Sequence, residues 1–282
     1  MSVRVAVIQT DPRFGEVEAN IREALAIAES AGADILVFPE LCNTGYNFSS
    51  KQEVEKLAEP IDGPTYGAFA MFAEKASCHV VYGFAEKSGR RYYNSAALVG
   101  PNGLIGLYRK VHLFNRELLF FSPGDLGFPV FRLPFGIVGI MICFDWIYPE
   151  AARTLALKGA QLVAHPSNLV MPYCPDAMVT RCLENRVFAA TADRVGTENR
   201  GGVQFEYRGM SEIVSPKGEI LRRLGEREHG VAAADVELSE ANVKKVNEYN
   251  DLLKDRRPET YLTSGPVRRT TRARARRRRK HG

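Results

Sequence analysis

The sequence predicts an α/β fold built on mixed β-sheets. Short apolar runs of strand length alternate with segments of helical period, two hairpin-like stretches interrupt that alternation, and no Pro/Gly/Ser-rich linker divides residues 1–266, which read as one domain.

Val3 to Gln9 alternates apolar residues and predicts a first strand. Residues 17–31 carry Ile21, Leu25 and Ala28 at helical spacing, with Gly32 as the stop. Ile35–Phe38 is an apolar run before Pro39, as expected of a buried strand. Pro64–Ala76 predicts a helix opened by Asp62-Gly63-Pro64. Val80–Glu86, Tyr93–Val99 and Leu104–Val111 predict strands, the last two joined by a Pro101-Asn102-Gly103 turn. Phe114–Asp125 reads as a loop. Val130–Leu133 and Val138–Phe144 predict strands, followed by a helix over Pro149–Lys158 that Gly159 ends. Leu162–His165 predicts a strand, Asp176–Val187 a helix and Phe188–Ala192 a strand. Ser211–Val214 and Ile220–Arg223 flank a Pro216-Lys217-Gly218 turn and predict a hairpin. Val231–Val236 is a last strand, and Ser239 is expected to cap a short final helix.

The charge is unevenly placed. Lys plus Arg number 38 and Asp plus Glu 33, a formal +5. Nine of the basic residues and no acid lie in 267–282, so residues 1–266 hold 29 bases against 33 acids, a balance of −4. A mildly acidic body therefore ends in a basic tail, expected to be disordered, and the pI near 8.9 describes neither part. Hydrophobic residues at 45% and charged residues at 25% are values of a globular chain. No signal peptide and no membrane-length apolar run is read. The five cysteines, Cys42, Cys78, Cys143, Cys174 and Cys182, are odd in number and form no CxxC, so a zinc site or disulfide framework is not expected. A reduced, cytoplasmic protein without metal or organic cofactor is the expectation.

Active-site residues of α/β proteins tend to lie just beyond strand ends. Glu40 follows the run ILVFP, Lys110 lies near the end of GLIGLYRKV, and Cys143 ends GIVGIMIC. Each alone has a plain reading: a loop carboxylate, a solvated charge and an inert core thiol. A carboxylate, an amine and a thiol behind three converging strands would instead make a nucleophilic site.

The segments FPELCNTGY (38–46), YRKVHLF (108–114) and MICFDWIYPEAARTLALKGA (141–160), at triad spacings of 70 and 33 residues, resemble the carbon–nitrogen hydrolase (nitrilase) superfamily. The resemblance covers residues 3–262 and implies a four-layer αββα sandwich with two mixed sheets. It also implies a Glu–Lys–Cys triad of Glu40, Lys110 and Cys143. Glu40 would act as general base and acid, and Lys110 would favour the thiolate and stabilise an oxyanion. Cys143 would form a thioester, with the Phe144 N–H as a second oxyanion donor. Glu117, in FNRELLFFSPG, matches a second glutamate that the family places beside the lysine, against the plain reading of a surface partner for Arg116.

Substrate contacts are expected at Tyr46, Phe144, Trp146 and Asn168. His165 reads as a structural residue and Cys42 as packing. Arg181-Cys182-Leu183-Glu184-Asn185-Arg186 resembles the family's RA-x-EN helix motif, with Cys182 in place of alanine, and is expected to brace the site and a homodimer interface. Some carbamoylases place carboxylate-binding arginines where this chain has Trp146 and Ile147, which disfavours carbamoyl-amino-acid substrates. A small apolar amide is the expected substrate, with an aliphatic nitrile or an N-carbamoyl compound as alternatives. A non-catalytic protein that binds nucleic acid or an acidic partner through its tail is the rival reading.

Overall fold

The computed structural model describes residues 2–261. The expected tail at 267–282 lies outside them. The fold begins with β1 (Val3–Gln9), α1 (Val17–Ala28), β2 (Ile35–Val37), α2 (Lys51–Leu57) and α3 (Pro64–Ala76). Next come β3 (His79–Ser88), β4 (Arg91–Gly100), β5 (Gly103–Arg109), α4 (Glu117–Phe120), β6 (Val130–Leu133) and β7 (Gly136–Ile140). A one-turn 3-10 helix (Cys143–Ile147), α5 (Pro149–Leu157), β8 (Leu162–Pro166), α6 (Cys174–Asn185) and β9 (Phe188–Ala192) follow. The described chain closes with β10 (Thr197–Arg200), β11 (Val203–Glu206), β12 (Glu212–Val214), β13 (Ile220–Arg223) and β14 (Gly230–Val236).

Two six-stranded sheets form the frame, ordered β14-β1-β2-β3-β4-β5 and β13-β12-β9-β8-β7-β6. In each, a parallel centre (β1-β2-β3; β7-β8-β9) is flanked by antiparallel strands. The period of two in β1 explains the layering. Val3, Val5 and Val7 join the core between the sheets, while Ala6 and Ile8 join the cluster under α1 and α3. On the second sheet, Gly139 of β7 lies directly beneath Leu155 of α5, where a Cβ would sit 2.8 Å from a leucine methyl. The order is helix, sheet, sheet, helix, which is the four-layer αββα sandwich the resemblance implied. Among the described residues no helix is long and apolar enough to cross a membrane.

The departures from the expected elements have local causes. The strand expected over Val138–Phe144 ends at Ile140, because Asp145 accepts from the Ile142 N–H at 2.9 Å and turns the chain into the 3-10 helix. The expected loop at Phe114–Asp125 contains the single turn α4. α1 stops at Ala28 and α6 starts at Cys174, earlier than expected in both cases. α2 was hidden by its charge, since only Val54 is buried, yet Ser50 caps it by accepting from the Glu53 N–H. The β10–β11 hairpin went unseen because its strands, TENR and VQFE, are mostly polar. Ser239 is not a cap: it lies inside a 3-10 turn, Leu238–Asn242, whose N-cap is Glu237.

Candidate active site

Glu40, Lys110 and Cys143 each follow the end of a strand, and all three are buried, at 0%, 0% and 5% exposure. Glu40 stands three residues past β2, on a turn that passes directly over β3. Gly83 makes that passage possible, because a Cβ there would lie 2.5 Å from the Glu40 Cα. Lys110 follows β5, and its backbone N–H donates to Asn94 O on β4 at 2.8 Å. Gly124 donates back to Lys110 O at 2.9 Å and crosses the strand end so closely that a Cβ would meet Arg109 O at 2.0 Å.

The Lys110 ammonium bridges two carboxylates. Its Nζ donates to Glu40 Oε1 at 2.6 Å and to Glu117 Oε1 at 2.7 Å. Asn94 Nδ2 also donates to Glu40 Oε1, at 2.6 Å, and the Tyr46 hydroxyl donates to Glu117 Oε1, at 2.6 Å. Both donors to Glu40 therefore use the same oxygen. Glu40 Oε2 is buried with no hydrogen-bond partner among the described residues. Buried carboxylate oxygens are rarely left unpaired, and a proton-transfer role is one explanation for such an atom.

Cys143 opens the 3-10 helix with φ at +41°, a left-handed conformation that costs a non-glycine residue about 1–3 kcal/mol. Several bonds hold it there. The Cys143 carbonyl lies 2.9 Å from His165 Nε2, and the His165 Nδ1 lies 3.1 Å from the Thr191 hydroxyl. The thiol donates to Asn168 O at 3.6 Å, while Asn168 Nδ2 donates to Glu40 O at 2.9 Å. Asn168 thus links the turn of Glu40 to that of Cys143. Asp145 completes the assembly. It accepts from Ile142 N, from the Tyr108 hydroxyl at 2.6 Å and from His112 N at 3.2 Å, and lies 2.8 Å from His112 Nδ1. Arg181 of α6 donates to Trp146 O at 3.1 Å, the bracing expected of that motif.

Burial raises the Glu40 carboxyl to about 7, with Lys110 pulling down and Glu117 pushing up. Burial disfavours the Lys110 ammonium, but Glu117 and Glu40 outweigh it and the net direction is up. Burial and then the Glu40 charge hold the Cys143 thiol well above its usual range, and Lys110 only partly opposes them. Lys110 does favour the thiolate, as expected, but burial and the Glu40 charge outweigh it. Burial first, then the Glu40 charge, keep the thiol protonated near a carboxylate able to take its proton. Burial also lowers His165 to about 4, which keeps it neutral near pH 7.

A narrow cleft with only about 10 Å³ of open room reaches Cys143. Phe114, Phe144, Trp146, Leu169, Val170 and Met171 line it together with Cys143 and Asn168. Three of the four expected substrate contacts, Phe144, Trp146 and Asn168, thus reach it. Tyr46 does not: it lines a neighbouring cavity and is spent on Glu117. Cys42 is packed in the core under α3, its thiol donating to Gly83 O at 3.3 Å. Asn94 completes the site with no motif to mark it, whereas Asp145 lies inside the segment quoted around Cys143 and His165 holds the structural place expected of it. Among the described residues no group of three or more His, Cys, Asp or Glu side chains is arranged to hold a metal ion.

A family model described as carbon–nitrogen hydrolase matches residues 4–245. The chain is 50% identical over 264 residues to a nitrilase of Pyrococcus abyssi, covering 92% of this chain and 99% of the relative. Its fold superposes on that of a carbon–nitrogen hydrolase from Helicobacter pylori G27 with a TM-score of 0.84 at 25% identity, over 93% of this chain and 97% of the other. It also matches the amidase from Nesterenkonia sp. AN1, with a TM-score of 0.75 at 25% identity over 91% and 94% of the two chains. That structure is of a glutamate-to-glutamine variant bearing the acetamide moiety of fluoroacetamide, covalently added at the active-site cysteine.

Proposed function

The chain belongs to the carbon–nitrogen hydrolase family, and from that premise we propose that it hydrolyses small, apolar amides through a thioester on Cys143. The observation that carries the reading is the unpaired Glu40 Oε2 on a carboxyl whose other oxygen Lys110 and Asn94 hold. Its raised pKa near 7 suits a base that must take and return a proton at neutral pH.

As the thiol sulfur attacks the amide carbon, its proton passes to Glu40. Lys110 and the Phe144 N–H stabilise the oxyanion. The C–N bond then breaks, Glu40 returns the proton to the departing nitrogen, and ammonia leaves the acyl group on Cys143. Water attacks the thioester with Glu40 again as base, and the acid leaves as the thiol is re-formed. Glu117 and Tyr46 hold Lys110 in place, and the apolar side chains that line the narrow cleft at Cys143 part to take the acyl group.

The Pyrococcus abyssi relative favours a second reading, a nitrile substrate, in which a thioimidate precedes the thioester. Ammonia release from matched small amides and nitriles, with Cys143→Ala as control, tests both. Equal rates in parent and Cys143→Ala would remove the mechanism, and turnover of nitriles without the matching amides would remove the amidase reading.

A homodimer through the α5–α6 face fits the exposed Ile147, Leu157, Tyr173 and Leu183. Light scattering of the full chain tests it. Any contact of the tail with a polyanion should disappear when residues 267–282 are deleted, with hydrolysis unchanged.

A further inference from the structure

The β10–β11 hairpin belongs to neither large sheet. It reaches instead to the two loops that carry Tyr46 and Glu117. Glu198 of β10 is buried, and its carboxylate accepts from the backbone N–H of Tyr46 at 3.2 Å and of Asn47 at 2.6 Å. The same carboxylate accepts from the Tyr207 hydroxyl at 3.0 Å and is paired with Arg194. Arg194 is itself 1% exposed, donates to Asp11 at 2.6 Å and lies 4.2 Å over the Tyr207 ring. Phe205 of β11, the cross-strand partner of Glu198, packs edge-on against the Tyr46 ring at 5.6 Å. At the hairpin tip, Gly201 O accepts from Arg116, the residue before Glu117, at 3.1 Å.

We propose that this hairpin, through Glu198, is a positioning element for the Glu117–Lys110 pair. Glu198 fixes the backbone of Tyr46, Phe205 fixes its ring, and the Tyr46 hydroxyl then meets the Glu117 oxygen that accepts from Lys110. A buried Arg–Glu pair costs desolvation that apolar residues would avoid, so it is weak evidence for stability alone. What the charge supplies here is an acceptor for two consecutive backbone N–H groups, which an apolar residue cannot offer. The inference rests on the assignment of Lys110 and Cys143 to the reaction.

The test follows hydrolysis of propionamide and propionitrile by the full chain as Glu198→Gln, Tyr46→Phe and the two combined. Tyr46→Phe keeps the packed ring and removes only the hydroxyl that reaches Glu117. Each single change is expected to lower kcat roughly ten- to hundredfold, with KM little changed, because a misplacement of about 1 Å at the reacting groups has that effect. The double variant should be no slower than the slower single, since both changes cut the same line. Multiplying losses, or a loss confined to KM or to the melting temperature, would overturn the proposal. Glu198→Asp, which keeps the charge, should recover part of kcat. If Glu198→Gln does not fold, Glu198→Asp takes its place in the cycle with the same two outcomes. A Cys143→Ala chain as fast as the parent would sink the thioester reading itself, whereas an inactive Cys143→Ala with independent Glu198 and Tyr46 effects would sink the hairpin proposal alone.

Discussion

The Tyr108 hydroxyl donates to the Asp145 carboxylate at 2.6 Å, tying the strand that leads to Lys110 to the turn that opens with Cys143. Tyr108 stands on β5 of one large sheet and Asp145 on the 3-10 helix that follows β7 of the other. Asp145 also receives the N–H groups of Ile142 and His112, so the turn of Cys143 and the loop after Lys110 share one buried acceptor.

Asp145→Asn should therefore disturb both stability and turnover. The amide places a donor where at least one N–H or O–H now points, leaving a buried group unsatisfied at about 1–3 kcal/mol. Tyr108→Phe removes a single donor and should cost less. Denaturant midpoints and kcat measured on both variants check this; an Asp145→Asn chain as stable and active as the parent would contradict it.

Lys110→Met should be severe in both respects. It leaves Glu40 and Glu117 facing each other without their cation, and breaking a buried ion pair in this way costs about 3–5 kcal/mol. Loss of an oxyanion donor should lower kcat by about 10²–10³-fold. Unfolding curves and single-turnover rates on the purified variant give the two numbers.

The pH dependence follows from Glu40. The base must be ionised, and its carboxyl is raised to about 7, so kcat/KM should fall as pH drops through that value. The Cys143 thiol and the Lys110 ammonium are both raised, so neither predicts a loss just above neutrality. Glu117 pushes the Glu40 value up, so Glu117→Gln should move the acid limb to lower pH. An unmoved limb would dissociate that limb from Glu40.

The cavity predicts the acyl selectivity. Met171 lines it opposite no charged side chain, and shortening it should admit a longer acyl chain. Met171→Ala should raise kcat/KM for butyramide relative to propionamide, by roughly the 1–3 kcal/mol that one methylene is worth in such a pocket. Competition assays with the two amides read the ratio directly.

Their place after short apolar runs makes Glu40, Lys110 and Cys143 candidates, but it is the resemblance of the three surrounding segments to carbon–nitrogen hydrolases that sets them above a loop carboxylate, a solvated charge and a core thiol. Their partners were not legible, because each lies elsewhere in the chain. Asn94 reaches Glu40 only through the register of β3, β4 and β5, and a lone asparagine inside a strand announces nothing. Glu198 reaches Tyr46 across 152 residues, on a short, mostly polar hairpin whose apolar face is only Val203 and Phe205. Asp145 stood in plain sight two residues past Cys143, yet its role depends on Tyr108 and His112 arriving from the other sheet. The direction of the Lys110 effect on the thiol was legible, but its size against burial and two carboxylates was not, since burial is not written in the spacing. α2 stays unread in the sequence although Ser50 and Glu53 stand at the spacing of a helix start, because a charged helix with one buried residue shows no apolar period.

The central claim is that Cys143 carries the acyl group. Rapid acid quench of the full chain with propionamide, followed by peptide mass spectrometry, should find the peptide containing Cys143 heavier by one propionyl group and no such mass on the peptides of Cys42, Cys78, Cys174 or Cys182. Cys143→Ala should show neither adduct nor ammonia release. An active enzyme whose acyl group sits on another residue, or a Cys143→Ala chain that turns over at the parent rate, would contradict the account.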